Sequence, residues 1–128
     1  MIEMSWLNRE QYVLLWKFSG HWTEAEFTHT FHRFQILTQS MDEPTTVVLD
    51  LNESIAPSNL MTIAKQAFSQ VNDTVERIIV VGHIPTWKSL HSILQYMMQN
   101  LAIPFLFVDT LEDVKGYIND NSHFSSTS

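Results

Sequence analysis

Apolar residues gather in short unbroken runs along this chain, at Tyr12–Phe18, Thr46–Leu51, Ile78–Val81 and Phe105–Val108. Each run ends in small or polar residues and gives way to a segment whose apolar positions recur at helical spacing. Short runs of this kind fit buried strands, and a parallel strand needs a helical crossover to bring the chain back to its start. The alternation therefore predicts an α/β domain with a largely parallel sheet. It also predicts where a site belongs, in the crevice beyond the carboxyl ends of the strands.

Residues 2–7 alternate loosely, so the domain opens on a predicted antiparallel hairpin with Tyr12–Phe18. Ser19-Gly20 reads as the break after that strand. Thr23 stands at an N-cap position with Glu26 three residues on, a capping box. Phe27, Phe31, Phe34 and Leu37 then form one apolar helical stripe, and Asp42-Glu43-Pro44 ends the first helix. After the strand Thr46–Leu51, a loop through Asn52–Pro57 leads to Ser58 as cap of a second helix carrying Met61, Ala64, Phe68 and Val71. Asn72-Asp73 closes that helix. Arg77–Gly82 is the next strand, and Thr86 caps a third helix bearing Trp87, Leu90, Leu94, Met97 and Leu101. Ile103–Val108 is the last strand, with Pro104 near its start, where a missing N–H does least harm. Thr110 and Asp113 form a second capping box, before a short helix that buries Leu111, Val114 and Ile118. The order is ββαβαβαβα. It describes one domain over residues 1–118, with a mixed, mostly parallel five-stranded sheet and four helices, and a polar, frayed tail over 119–128.

Composition narrows the classes of partner. Among the 128 residues, 7 Lys and Arg face 14 Asp and Glu, for a formal net charge of −7. An acidic surface without any basic run repels nucleic-acid backbones and anionic lipid, so neither is the expected partner. Cysteine is absent, which excludes disulfides, thiolate metal sites and Cys nucleophiles. No apolar stretch approaches the roughly 20 residues of a membrane span, and Met1-Ile2-Glu3-Met4 does not resemble a signal peptide. The expected setting is the cytoplasm.

Phe18-Ser19-Gly20-His21-Trp22-Thr23 opening the first helix, Val47-Val48-Leu49-Asp50-Leu51 before a Ser-capped helix, and Val108-Asp109-Thr110-Leu111-Glu112-Asp113-Val114 entering the last one carry a resemblance. With the order of elements, they make the chain resemble a STAS-type domain, the fold of bacterial anti-sigma-factor antagonists and sulphate-transporter tails. More narrowly, it is similar to small stand-alone bacterial proteins grouped as STAS/SEC14-like. The resemblance implies helices mainly on one side of a mixed sheet, and a non-enzymatic role in protein contact or ligand sensing. Antagonists of this type carry a phosphorylatable Ser at the start of the second helix. Ser58 is the matching position, without the Asp and Gly that flank it in the motif.

If the sheet is parallel, Gly20-His21-Trp22, Asp50 with Asn52-Glu53-Ser54, Gly82-His83 and Asp109-Thr110 collect along one rim. Asp50 or Asp109 with His83 and a Ser at 54 or 58 would make a hydrolytic triad on paper. Such a nucleophile needs a strained turn flanked by Gly, a context neither Ser has. Ser58 reads first as a helix cap, and the two Asp residues as bonded to loop amides. His83 follows Gly82 and precedes a helix start that favours anions. His29 and His32 lie on the polar face of the first helix and lack the further ligands a metal needs, so no metal or cofactor is expected. Trp22 and Trp87 read as core aromatics or as the wall of an apolar pocket. The wide apolar sector on residues 87–101 suits a contact surface.

These residues rank three functions. The first is a non-enzymatic regulatory or scaffold domain working through protein–protein contact, with self-association as a homodimer included. The second is a binder of a small apolar or lipid-like ligand near Trp22, His83 and Trp87. The third is a hydrolase using His83 with a nearby Asp and Ser.

Overall fold

The computed structural model describes residues 1–7, 12–41, 43–55, 57–70, 74–82, 99 and 104–118. Five strands and two helices follow in the order β1 (Ile2–Trp6), β2 (Val13–His21), α1 (Glu24–Gln39), β3 (Thr45–Ile55), α2 (Leu60–Phe68), β4 (Val75–Val81) and β5 (Phe105–Val108). A further helix, α3, spans residues 111–118. The strands form one sheet in the spatial order β1-β2-β3-β4-β5. The first pairing is antiparallel and the next three are parallel. The sheet is mixed, and three helices stand among the described residues where the sequence predicts four. The third predicted helix, with Thr86, Trp87 and Leu101, falls outside the described residues apart from Gln99, as does the tail over 119–128.

Alternation along the strands divides the core in two. Leu14, Trp16, Phe18, Val47, Leu51, Ile78 and Val80 face α1 and α2, with Ile2, Met4 and Trp6 of β1 and Phe107 of β5 packed against them. Val13, Leu15, Val48, Ile79 and Val81 point the other way, toward Val114 with Leu111 and Ile118 of α3. Burying each such side chain contributes about 1.5–3 kcal/mol, and this is why the central strands carry almost no polar alternation.

The predicted Phe stripe holds α1 to the sheet. The Trp16 ring of β2 lies 5.7 Å from Phe27 in a tilted arrangement and 5.4 Å from Phe34 edge to face, centroid to centroid. Thr30 and Thr38 are buried on the same helix, each hydroxyl donating to the carbonyl four residues back at 2.9 Å. A hydroxyl satisfied inside its own helix can occupy an apolar face without an unpaired polar atom. The Thr23 hydroxyl accepts from the Glu26 N–H at 3.2 Å, as the capping box predicts. The Glu26 carboxylate turns instead to the Met1 amino group, 3.5 Å away. The second box is complete: Thr110 and Asp113 exchange backbone–side-chain bonds of 3.2 Å in both directions.

Two strands outrun their predicted ends. Ser19-Gly20 does not break β2, and residues 52–55 are not loop. Ser19, Gly20 and His21 pair with Glu53, Ser54 and Ile55 after a register shift that leaves one extra residue on β3. Gly20 takes φ +62, a left-handed conformation open to glycine at little cost, so the ribbon bends there and continues. In α2, Ile63 and Ala67 are buried among the described side chains. The side chains of the predicted stripe (Met61, Ala64 and Phe68) lie outside the described set, as does Val71.

Candidate functional site

Parallel pairing of β2 through β5 brings their carboxyl ends to one edge, and this is the candidate site. The bulge on β3 organises it. The extra residue takes the Asn52 N–H out of the ladder, and the Asp50 carboxylate accepts it through Oδ1 at 3.2 Å. The Asn52 side chain then donates from Nδ2 to the main-chain carbonyl of Asp109 at 3.1 Å. Between them β4 ends, and the Gly82 N–H donates to the carbonyl of Val108 at 3.1 Å. A bulge re-aims a side chain in this way, here across a neighbouring strand end. Asn52 Oδ1 is buried with no partner among the described residues.

The predicted site residues divide accordingly. Asp50 and Asp109 do come to the same edge, joined through Asn52. Ser54 belongs to the edge too, as a strand residue whose hydroxyl donates to the Leu51 carbonyl at 3.1 Å. Ser58 is exposed in a turn and is not the cap of α2. That position is Asn59, whose carbonyl accepts the Ile63 N–H and whose amide reaches across to the Glu24 carboxylate at 3.3 Å. Trp22 is 3% exposed, its ring 4.9 Å from Phe18 and 5.8 Å from Phe27, so it stands in the core. His83 and Trp87 lie outside the described residues. His29 and His32 are exposed on α1, and among the described residues no three His, Asp or Glu side chains are placed to share a metal.

Sequence reasoning puts Asn52 on this rim beside Asp50 but gives it no role of its own. Its signal is faint: an Asp-x-Asn step at the end of an apolar run, where a side chain can take up a backbone amide two residues on.

Outside the bonded centre the edge is open and acidic. Glu53, Asp109, Glu112 and Ile55 are exposed, and Ile55 keeps 56% of its surface in solvent. Lys17 approaches Glu53 at 4.0 Å, an exposed pair of small energetic weight. A second feature lies away from this edge. Between α1 and α2 runs an open groove of about 90 Å³, floored by Phe27, Phe31, Ile63 and Ala67. Two buried indole groups, Trp16 and Trp22, carry N–H donors without a partner among the described residues, and both rings touch Phe27. Among the described residues no helix is long and apolar enough to cross a membrane.

No protein-family model matches the chain, and no curated protein sequence does. Among solved structures it is similar to an uncharacterized protein of the DUF3478 family with a SpoIIAA-like fold, from Shewanella loihica PV-4. The TM-score is 0.68 over 91% of both chains, at 11% sequence identity. The fold is thus SpoIIAA-like, that is, STAS-like, as the resemblance in the sequence implies. Identity this low carries the architecture and no activity.

Proposed function

We propose that this chain is a non-enzymatic regulatory or scaffold domain that works through protein contact, with the carboxyl edge of the sheet as its contact surface. The observation that carries the reading is the division of labour at that edge. Groups a hydrolase would recruit are engaged in holding the backbone: Asp50 with the Asn52 amide, and Ser54 with the Leu51 carbonyl. A nucleophile needs an exposed hydroxyl on a strained turn, and Ser54 sits within a paired strand. Meanwhile Ile55, Glu53 and Asp109 are left facing solvent. An exposed apolar side chain on an edge that also exposes carboxylates suits a partner patch that offers apolar and basic groups. The SpoIIAA-like fold of an uncharacterized relative in structure is compatible with a regulatory domain. The test is affinity capture from cells that make the protein, with Ile55→Asp as the control. A specific partner retained by the native chain and lost by the variant supports the reading; equal retention by both contradicts it.

A second reading, binding of a small apolar ligand, is favoured by the α1–α2 groove, with the Trp16 and Trp22 indole groups, which have no hydrogen-bond partner among the described residues, one ring behind it across Phe27. Ligand pockets usually enclose about 300–1,000 Å³, so a groove of about 90 Å³ admits only a small group. That ranks it second. Native mass spectrometry of protein from its own host decides it: a co-purifying mass supports the reading and bare protein removes it.

A further inference from the structure

The outer edge of β1 is self-complementary, and we infer that it pairs with the same strand of a second copy. The inference rests on the protein-contact reading above and names one partner. Met1 and Ser19 exchange backbone bonds at 2.7 and 2.9 Å, and the Leu7 N–H donates to the Val13 carbonyl at 2.8 Å. In an antiparallel ladder bonded and non-bonded pairs alternate. The odd-numbered residues of β1 therefore face β2, and Ile2, Met4 and Trp6 turn their N–H and C=O groups outward. Among the described residues none of these outward groups has a hydrogen-bond partner. Their side chains lie on the α1 face, half-buried.

Edge strands are normally guarded by Lys, Pro, a bulge or shortness. β5, the opposite edge, is four residues long and follows Pro104, which lacks an N–H. β1 is five residues long, has no Pro or Lys, and pairs with β2 without a register shift. Its one charge, Glu3, is matched by Lys17 directly across on β2.

One register satisfies the strand. A two-fold axis at Met4 sets Met4 against Met4 and Ile2 against Trp6 of the other copy, so each outward N–H meets an outward C=O. The apolar face then runs unbroken from one copy to the next, and Glu3 stands opposite Ser5. Centring on Glu3 places two carboxylates face to face and strands Trp6. Centring on Ser5 leaves Ile2 beyond the end of the partner strand.

Sedimentation velocity over a concentration series reaching hundreds of micromolar tests this. The native chain is expected to show a two-copy species. Met4→Pro removes an outward N–H that the monomer does not use, so it should give a single-copy species with an unchanged circular dichroism spectrum. Should that variant fail to fold, the exposed position Ser5 decides. Ser5→Lys faces Glu3 of the other copy and tightens the dimer, while Ser5→Glu loosens it. Two such pairs per dimer shift the dissociation constant by roughly two- to thirty-fold in each direction. A native chain that stays single-copy throughout, a dimer that survives a folded Met4→Pro, or Ser5 variants that shift nothing would overturn the inference. A single-copy chain that still captures another protein through Ile55 would leave the contact reading intact and remove only this one.

Discussion

Asn52 and Asp109 are far apart in sequence yet meet at 3.1 Å, side-chain amide to main-chain carbonyl, above the end of the strand that separates them. That bond ties β3, just after its bulge, to the exit of β5. It depends on the bulge that Asp50 holds by accepting the Asn52 N–H. The edge proposed as the contact surface is thus a braced platform, and its bracing can be tested one atom at a time.

Asn52→Ala removes the donor to Asp109 and should cost about 0.5–1.5 kcal/mol, the usual net value of one hydrogen bond. Asn52→Asp should cost more, because a carboxylate then faces both the Asp109 carbonyl and Asp50. Asp50→Ala leaves a half-buried N–H without its acceptor and should cost about 1–3 kcal/mol. Urea unfolding of the three variants checks the order. Equal stability of Asn52→Ala and Asn52→Asp would show that the amide nitrogen does not donate there.

Gly20→Ala tests the bend that carries β2 past its predicted end. At φ +62 an L side chain is strained by about 1–2 kcal/mol, and no atom lies within 4 Å of the added Cβ to add a clash. Gly20→Asn should lose less, since Asn tolerates that region better. Thermal melts that leave Gly20→Ala at the native midpoint would contradict the assigned conformation.

Ser58→Ala separates a cap from a free surface hydroxyl. A capping Ser is worth about 1 kcal/mol, whereas an exposed turn residue outside the cap changes stability by less than about 0.5 kcal/mol. The second result is expected. Asn59→Ala should weaken the link between α1 and α2 by releasing Glu24, and chemical denaturation compares the two variants.

Trp22→Phe deletes an indole N–H that has no acceptor among the described residues, along with part of a buried ring. An unsatisfied buried donor costs about 1–3 kcal/mol, which offsets much of the lost packing. Stability should therefore change little, against a loss of about 3–5 kcal/mol for Trp22→Ala. A large loss in Trp22→Phe would mean that the N–H has a partner in solution, and a bound ligand in the groove would be the first to look for.

How far the sequence foretells this molecule depends on the type of signal. Apolar runs and cap residues act locally, so β1 to β5, the Phe face of α1 and the Thr110–Asp113 box are legible from residue order alone. The second-helix cap falls one residue later than the sequence predicts, because Ser58 and Asn59 are both good cap formers and Asn59 also gains the Glu24 contact on another element. The extended ends of β2 and β3 are hidden for a different reason. Ser19-Gly20 and Asn52-Glu53-Ser54 have turn-like composition, and only their pairing with each other makes them strand. The same bulge sends Asn52 across β4, a relation between distant segments that no local spacing encodes. Asp50, Ser54 and Asp109 were legible as neighbours at one edge, but their bonding to backbone was not.

The account turns on whether this edge is a surface for protein contact. Quantitative capture of partners from the cells that make the protein, comparing the native chain with Ile55→Asp and with Asp109→Lys at matched folded concentration, tests it most directly. The expected result is one partner enriched by the native chain and depleted several-fold by both variants, with their melting curves unchanged. Undiminished capture by both variants would contradict it.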